Sequence, residues 1–402
     1  MRVTVNYGRR QVELEADAGS VVRGARPADP GVADPAEAVR EALESPFEYP
    51  ALRQALTPDD HVTVVVDEHL PGLAGLLVPV LEHLAAAGVS PDAVTILVSP
   101  SAAGQPWVDQ LPNEFQEARV EVHDPGDRKR LRYLATTREG RRLYLNQRVV
   151  DADLLVVLTG RRFDPVFGYG GAAGAVFPAL ADAETRSAVA GHGRLDPPDG
   201  AAWPAEEEAT EAAWLLGAPF FVQVIEGSGD GVAEVVAGST DALAEGRDRL
   251  EARWLQQVNS VADVVVAGVS GDPARQTFAD LAAAAACAAR VVRPGGRIIL
   301  LSEVTAAPGP EFDLLRGADD PAELAAGLGP NPPVEQLPLA RWAAAAGHAR
   351  LTVLSGIDAE AMEELSATPL QRAEQAQRLL KPGETVLFLD DAHKALVTLA
   401  DD

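Results

Sequence analysis

Short apolar runs alternate with longer amphipathic ones along most of this chain. HVTVVVDE (61–68) is apolar enough to predict a strand buried on both faces. LAGLLVPVLEHLAAAG (73–88) then has helical periodicity and stops at Gly88, and DAVTILVS (92–99) is a second buried strand. Strand, helix, strand in that order predicts a βαβ unit on a parallel sheet. ARVEVHD and ADLLVVLTG (152–160) continue the pattern, with RRLYLNQRVV as a strand of mixed polarity between them. Ahead of these, MRVTVNYGRRQVELEA alternates as a strand hairpin, and the proline-rich VVRGARPADPGVADP leads into a short helix over AEAVREALES.

The segment HGRLDPPDGAAWP reads as a loop, EEEATEAAWLLG as an amphipathic helix, PFFVQVIEG as a strand and RDRLEARWLQQVNS as a linking helix. From Ala262 the pattern restarts. ADVVVAGVS is a strand, PARQTFADLAAAAACAARVV a helix and GRIILLSE a strand after a PGG turn. RLTVLSG, a helix over AEAMEELS, then TPLQRAEQAQRLL and ETVLFLD supply the remaining strands and helices. The expected architecture is α/β: two α/β domains, 1–257 and 258–402, with largely parallel sheets and an interdomain cleft over which a hinge can close.

Composition narrows the function. With 47% hydrophobic and 23% charged residues over 402 positions, the chain reads as a soluble globular protein. A net charge of −26 argues against a nucleic-acid partner or an anionic membrane surface, since both need clustered Lys and Arg. No stretch approaches a transmembrane span, and the N-terminal strands lack the features of a signal peptide. Cys287 is the only cysteine, which excludes an intramolecular disulfide and any multi-cysteine metal site and suggests a reducing cytoplasm. It lies in an alanine-rich helical run, so it is expected to be a buried packing residue.

The residues from His123 to Leu180 carry the most information. The run HDP, then LRYLATT, then YLNQRVVDADLLV, then a glycine cluster ending in FPAL, resembles the nickel-dependent lactate racemase family. The resemblance implies racemisation of a 2-hydroxy acid, with a nickel-pincer nucleotide attached to a lysine of the glycine cluster and two histidines serving as bases. The lysine position falls on Gly174, and the chain's three lysines, Lys129, Lys381 and Lys394, all lie elsewhere in the sequence. Ala103, or a neighbour within 99–104, and Val166 stand where the resemblance places the two bases, and neither side chain moves a proton.

The family's Asp-His-Thr-Arg-Pro run corresponds to Asp67, Glu68, His69, Leu70 and Pro71, so leucine replaces an arginine suited to holding a carboxylate. His69 is the candidate base, with Glu68 beside it and Asp67 facing the cofactor. His192, eighteen residues after Gly174, is the candidate nickel ligand. The other histidines show no spacing that supports a separate metal site. Gly170, Gly171 and Gly174 would bring the loop backbone against a cofactor phosphate if the loop opens a helix. In the second domain Ala274 occupies a lysine position, with Arg275 next to it as the substitute cation.

Two readings follow. In one the chain is a non-catalytic or altered-function homologue that binds a small ligand in the interdomain cleft. In the other it is a divergent 2-hydroxy-acid racemase or epimerase with a non-covalently held nickel-pincer nucleotide. A nucleotide-dependent transferase using the glycine loop is a third.

Overall fold

A computed structural model describes residues 1–17, 21–22, 31–100, 105–195, 203–217 and 219–400. The first sheet has the spatial order Val232–Gly238, Phe220–Glu226, Leu154–Asp164, Val62–Val66, Val94–Val98, Arg119–Val122. Its neighbours run parallel except for the antiparallel hairpin of Phe220–Glu226 with Val232–Gly238. The short strand Gly168–Gly170 folds back antiparallel on the end of Leu154–Asp164. The run VTVVV is buried at every position because the sheet is covered on both faces. One face packs on the helix Leu73–Ala86, the other on the glycine-cluster segment and the helix Pro204–Leu215.

The second sheet is wholly parallel, in the order Ala367–Leu370, Arg350–Leu354, Val292–Leu301, Ala262–Gly268, Val386–Leu389, Val21–Val22. The alanine-rich helix Phe278–Ala289 and the helix Leu337–His348 cover one face. The other face is closed by the N-terminal hairpin, Arg2–Tyr7 with Arg10–Glu15. Its inward residues Val3, Val5, Val12 and Leu14 pack on Val264, Val266, Ile299 and Leu301.

Two stretches differ from the expected elements. The linking helix starts and stops earlier than the pattern suggests: Ala242–Trp254 is helical, then Leu255–Val258 becomes a strand parallel to Leu396–Leu399. TPLQRAEQAQRLL is an edge strand followed by a 3-10 turn, Ala373–Leu379, that helps cover the hairpin. Among the described residues no helix is long and apolar enough to cross a membrane.

Candidate functional site

The strand Val62–Val66 ends in Asp67, and the chain turns sharply so that the Leu70 N–H donates to the Asp67 carbonyl at 3.1 Å. Strand ends of this kind, at the carboxyl edge of a parallel sheet, are where α/β proteins place ligands. The Asp67 carboxylate is largely buried and accepts from the His69 N–H at 2.9 Å and from Arg162 Nη2 at 2.6 Å. Its Oδ1 also lies 3.1 Å from His69 Nδ1. Burial pushes the Asp67 carboxyl up, but the Arg162 charge and the His69 hydrogen bond outweigh it and hold the group well below the usual carboxylate range. The hydrogen bond to Asp67 raises the His69 pKa against the opposing effect of burial. The His69 ring itself is exposed to solvent.

Arg162 sits on the Leu154–Asp164 strand and also approaches Glu226 at 3.9 Å. Glu226 in turn holds Lys394 Nζ at 3.1 Å, so an ion-pair chain runs Asp67, Arg162, Glu226, Lys394 from the first sheet into the last residues of the second unit. The tip of the Phe220–Gly238 hairpin is clasped around this chain. Lys394 donates to the carbonyls of Gly227 and Gly229, Ser228 Oγ lies 2.6 Å from the buried Asp391 carboxylate, and Asp230 accepts from the Asp272 N–H at 2.6 Å. Arg275 joins the same clasp, with Nη1 on Asp230 at 2.5 Å and Nη2 on the His69 carbonyl at 2.6 Å. The structure therefore brings Asp67, His69 and Arg275 together although more than two hundred positions separate them in the sequence. Glu68 is turned aside and accepts from Trp107 Nε1 at 2.9 Å.

The glycine cluster lies one strand away. Gly171 has φ +80°, and a Cβ there would stand 1.9 Å from the Gly160 carbonyl oxygen, so only glycine lets the loop cross the strand this closely. The loop opens a four-residue 3-10 turn, Ala172–Ala175, and not an α-helix; the Gly174 N–H already donates to the Gly171 carbonyl at 3.0 Å. Arg161, fully inside, donates to the carbonyls of Tyr169, Gly170 and Leu243 at 3.2–3.3 Å and holds the loop from below. Burial lowers its pKa to about 10.

A family model described as the lactate racemase N-terminal domain matches residues 7–194. The structure of the lactate racemase apoprotein from Thermoanaerobacterium thermosaccharolyticum superposes with a TM-score of 0.78 at 16% identity, covering 99% of this chain and 100% of that one. The chain has the fold of that lactate racemase. A crystal structure of a protein from Thermotoga maritima aligns over 92% of this chain and 99% of its own, with a TM-score of 0.59 and 11% identity. No curated protein sequence matches the chain.

On this fold the substituted positions become readable in three dimensions. Leu70, at the arginine position, is buried in the apolar cluster over the first sheet, so it faces the core and not a ligand. Val166 lies in the turn held by the Asp164 carboxylate, which accepts from the Val166 and Phe167 N–H groups at 2.7 and 2.9 Å. Ala103 falls outside the described residues. Ala274 donates its N–H to Asp272 and leaves Arg275 as the cation that reaches the cleft.

The covalently anchored cofactor of the lactate racemase family does not fit the residues present. Gly174 supplies no amine, and a Cβ built on it would meet only the Phe167 ring, at 3.6 Å. Lys394, the lysine that the fold carries into the cleft, is engaged by Glu226 and two carbonyls. His192 is exposed and lies in an isolated bridge with Pro333 of the second unit. Among the described residues no group of three or more His, Cys, Asp or Glu side chains converges as a metal site.

Sequence reasoning missed Arg162, Glu226, Lys394 and the Ser228–Asp230 turn. The one local signal was the GSGDG turn between two apolar runs, which announces a hairpin but not where its tip docks.

Proposed function

We propose that the chain is a non-catalytic or altered-function lactate racemase-like homologue that binds a small ligand in the cleft between its two α/β units, 1–257 and 258–402, with the N-terminal hairpin riding on the second. One observation carries the reading: the cleft's cations are already matched by the protein. Arg162 is held by Asp67 and Glu226, Lys394 by Glu226, and Arg275 by Asp230. A hydroxy-acid carboxylate would have to displace a protein carboxylate to reach any of the three, and displacing Asp67 or Glu226 leaves a poorly hydrated anion behind.

The test is to produce the protein with the enzymes that mature the nickel-pincer nucleotide and measure nickel per chain. The same preparation is incubated with single enantiomers of lactate and other 2-hydroxy acids and analysed by chiral chromatography. The expected result is nickel at background, no racemisation, and thermal stabilisation by a ligand that is not turned over. Racemisation abolished by His69→Gln would overturn the reading.

That outcome is the second reading, a divergent 2-hydroxy-acid racemase or epimerase, and the Asp67–His69 pair favours it. Asp67 fixes the ring through Nδ1 and leaves the exposed Nε2 edge free to accept a hydroxyl proton.

A further inference from the structure

A second space between the two units contains cations of the opposite character. It is a cavity of about 350 Å³, lined by Phe163, Asp164, Pro165 and Leu195 of the first unit and by two helices and the 393–396 segment of the second. Strand alternation separates it from the ion-pair chain, since Arg162 turns toward Asp67 while Phe163 turns into the cavity. Ala283, Ala286, Cys287 and Arg290 on one helix, and Arg341, Ala344, Ala345 and His348 on the other, repeat with i, i+3, i+4, i+7 spacing. Alanine side chains are too short to fill the gap to Phe163 and Leu396, so the faces that would ordinarily pack leave room for a ligand.

Among the described residues lining it, Arg341 and the Nδ1 of His393 are left without protein partners, while His348 Nε2 lies 2.9 Å from the Val292 carbonyl. The Arg341 guanidinium has no hydrogen bond or ion pair with any described residue, and burial lowers its pKa against the opposing pull of Asp164. The neighbouring His393 has a buried Nδ1 with no hydrogen-bond partner. Arg290 donates only to a carbonyl, that of Val397, at 2.9 Å. Asp164, the carboxylate among the described lining residues, accepts both N–H groups of its own turn on Oδ1. In a chain of net charge −26, this apolar space therefore has two arginines facing a single acid.

We propose that this cavity binds a small carboxylate with an apolar body, its carboxylate on Arg341 with the His393 ring beside it and its hydrocarbon part on the alanine faces of the two helices. The inference rests on the reading that the space between the units is a ligand site, and it names the ligand class. A charge-assisted, partly desolvated guanidinium–carboxylate contact supplies the affinity, and the alanine and phenylalanine surface selects against fully polar acids.

The experiment is calorimetric titration and thermal melting of the full-length protein with hexanoate and benzoate, with hexanamide, benzamide and L- and D-lactate as comparisons. Hexanoate or benzoate is expected to bind saturably and raise the melting midpoint; the amides are expected to bind about tenfold more weakly or worse. Arg341→Gln should lose about tenfold or more in carboxylate affinity, Arg341→Lys should recover part of it, and the exposed Arg350→Gln should change nothing. Removing an unpaired, half-buried charge leaves the ligand-free melting curve unchanged or raised, which separates loss of binding from loss of fold. No saturable binding at millimolar carboxylate, equal binding of the amides, or full affinity in Arg341→Gln overturns the inference. Stabilisation by a different ligand that ignores Arg341 defeats it while leaving the non-catalytic reading intact, and lactate racemisation defeats that reading itself.

Discussion

Replacing Arg162 with methionine keeps most of the apolar stem and removes the one guanidinium shared by Asp67 and Glu226. The side chains of Asp67 and Glu226 are 14% and 16% exposed, and that of Arg162 is 37% exposed. Glu226 retains Lys394 at 3.1 Å, so the loss falls mainly on Asp67, whose remaining partners are His69 and backbone N–H groups. Breaking a fully buried pair by deleting one partner costs about 3–5 kcal/mol, and the partial exposure of Arg162 reduces the expectation here to about 2–3 kcal/mol. The direction of the Asp67 shift adds a pH signature. Because its folded pKa lies below the ordinary 3.8, its contribution is fully present above that value and disappears as pH falls through the folded one. The gap between wild type and Arg162→Met should therefore be widest at neutral pH and close in strong acid. Urea unfolding can be followed by tryptophan fluorescence, with Trp254, which donates to the Glu226 carbonyl, as a local reporter. Adding Asp67→Asn completes a double-mutant cycle, for which a coupling of about 1.5–2.5 kcal/mol is expected. Additivity within about 0.5 kcal/mol, or a gap that does not vary with pH, would refute the idea that this pair anchors the cleft.

Three further outcomes are expected. The His69 imidazole should titrate above 6.5 by NMR and fall back toward it in Asp67→Asn. The stability that His69 contributes is then full below 6.5 and lost as pH rises through its folded value, and a titration unmoved by Asp67→Asn would remove Asp67 as the cause. Gly171→Ala should cost about 2–4 kcal/mol, from its positive φ and the collision with the Gly160 carbonyl, whereas Gly174→Ala should be nearly neutral because its Cβ meets only ordinary contacts; equal melting points for the two would contradict the loop geometry. Cys287, its thiol pushed up to about 12 by burial, should resist iodoacetamide at pH 8 in the folded protein and react once urea unfolds it.

Much of the scaffold was legible because burial on both faces leaves a plain mark. VTVVV, TILV and VVVAG are apolar without alternation, and each is a central parallel strand. The boundaries after Trp254 and around 367–379 were not legible, since a polar edge strand and a polar helix share the same composition. In the cleft, Asp67, His69 and Arg275 were singled out by the resemblance to lactate racemase motifs that follow strands. Asp230, the partner of Arg275, and the Glu226–Lys394 pair could not, because ion pairing across units depends on how two sheets sit together and not on any spacing along the chain. The glycine loop illustrates the same limit. Its glycines suggested a phosphate cradle, while the buried Arg161 shows that the loop's carbonyls, not its N–H groups, face a charge.

The N-terminal hairpin has a consequence for the order of synthesis. Residues 2–15 are synthesised well before Val264, Val266, Ile299, Leu301 and Phe388, on which they pack, and these emerge only after the first unit has been made. The hairpin must therefore wait, without the sheet it covers, until those strands have been made, and its seating follows the assembly of the second sheet. Expressing 258–402 alone would leave that apolar face bare and prone to aggregate, whereas joining 1–22 ahead of 258–402 would restore the cover.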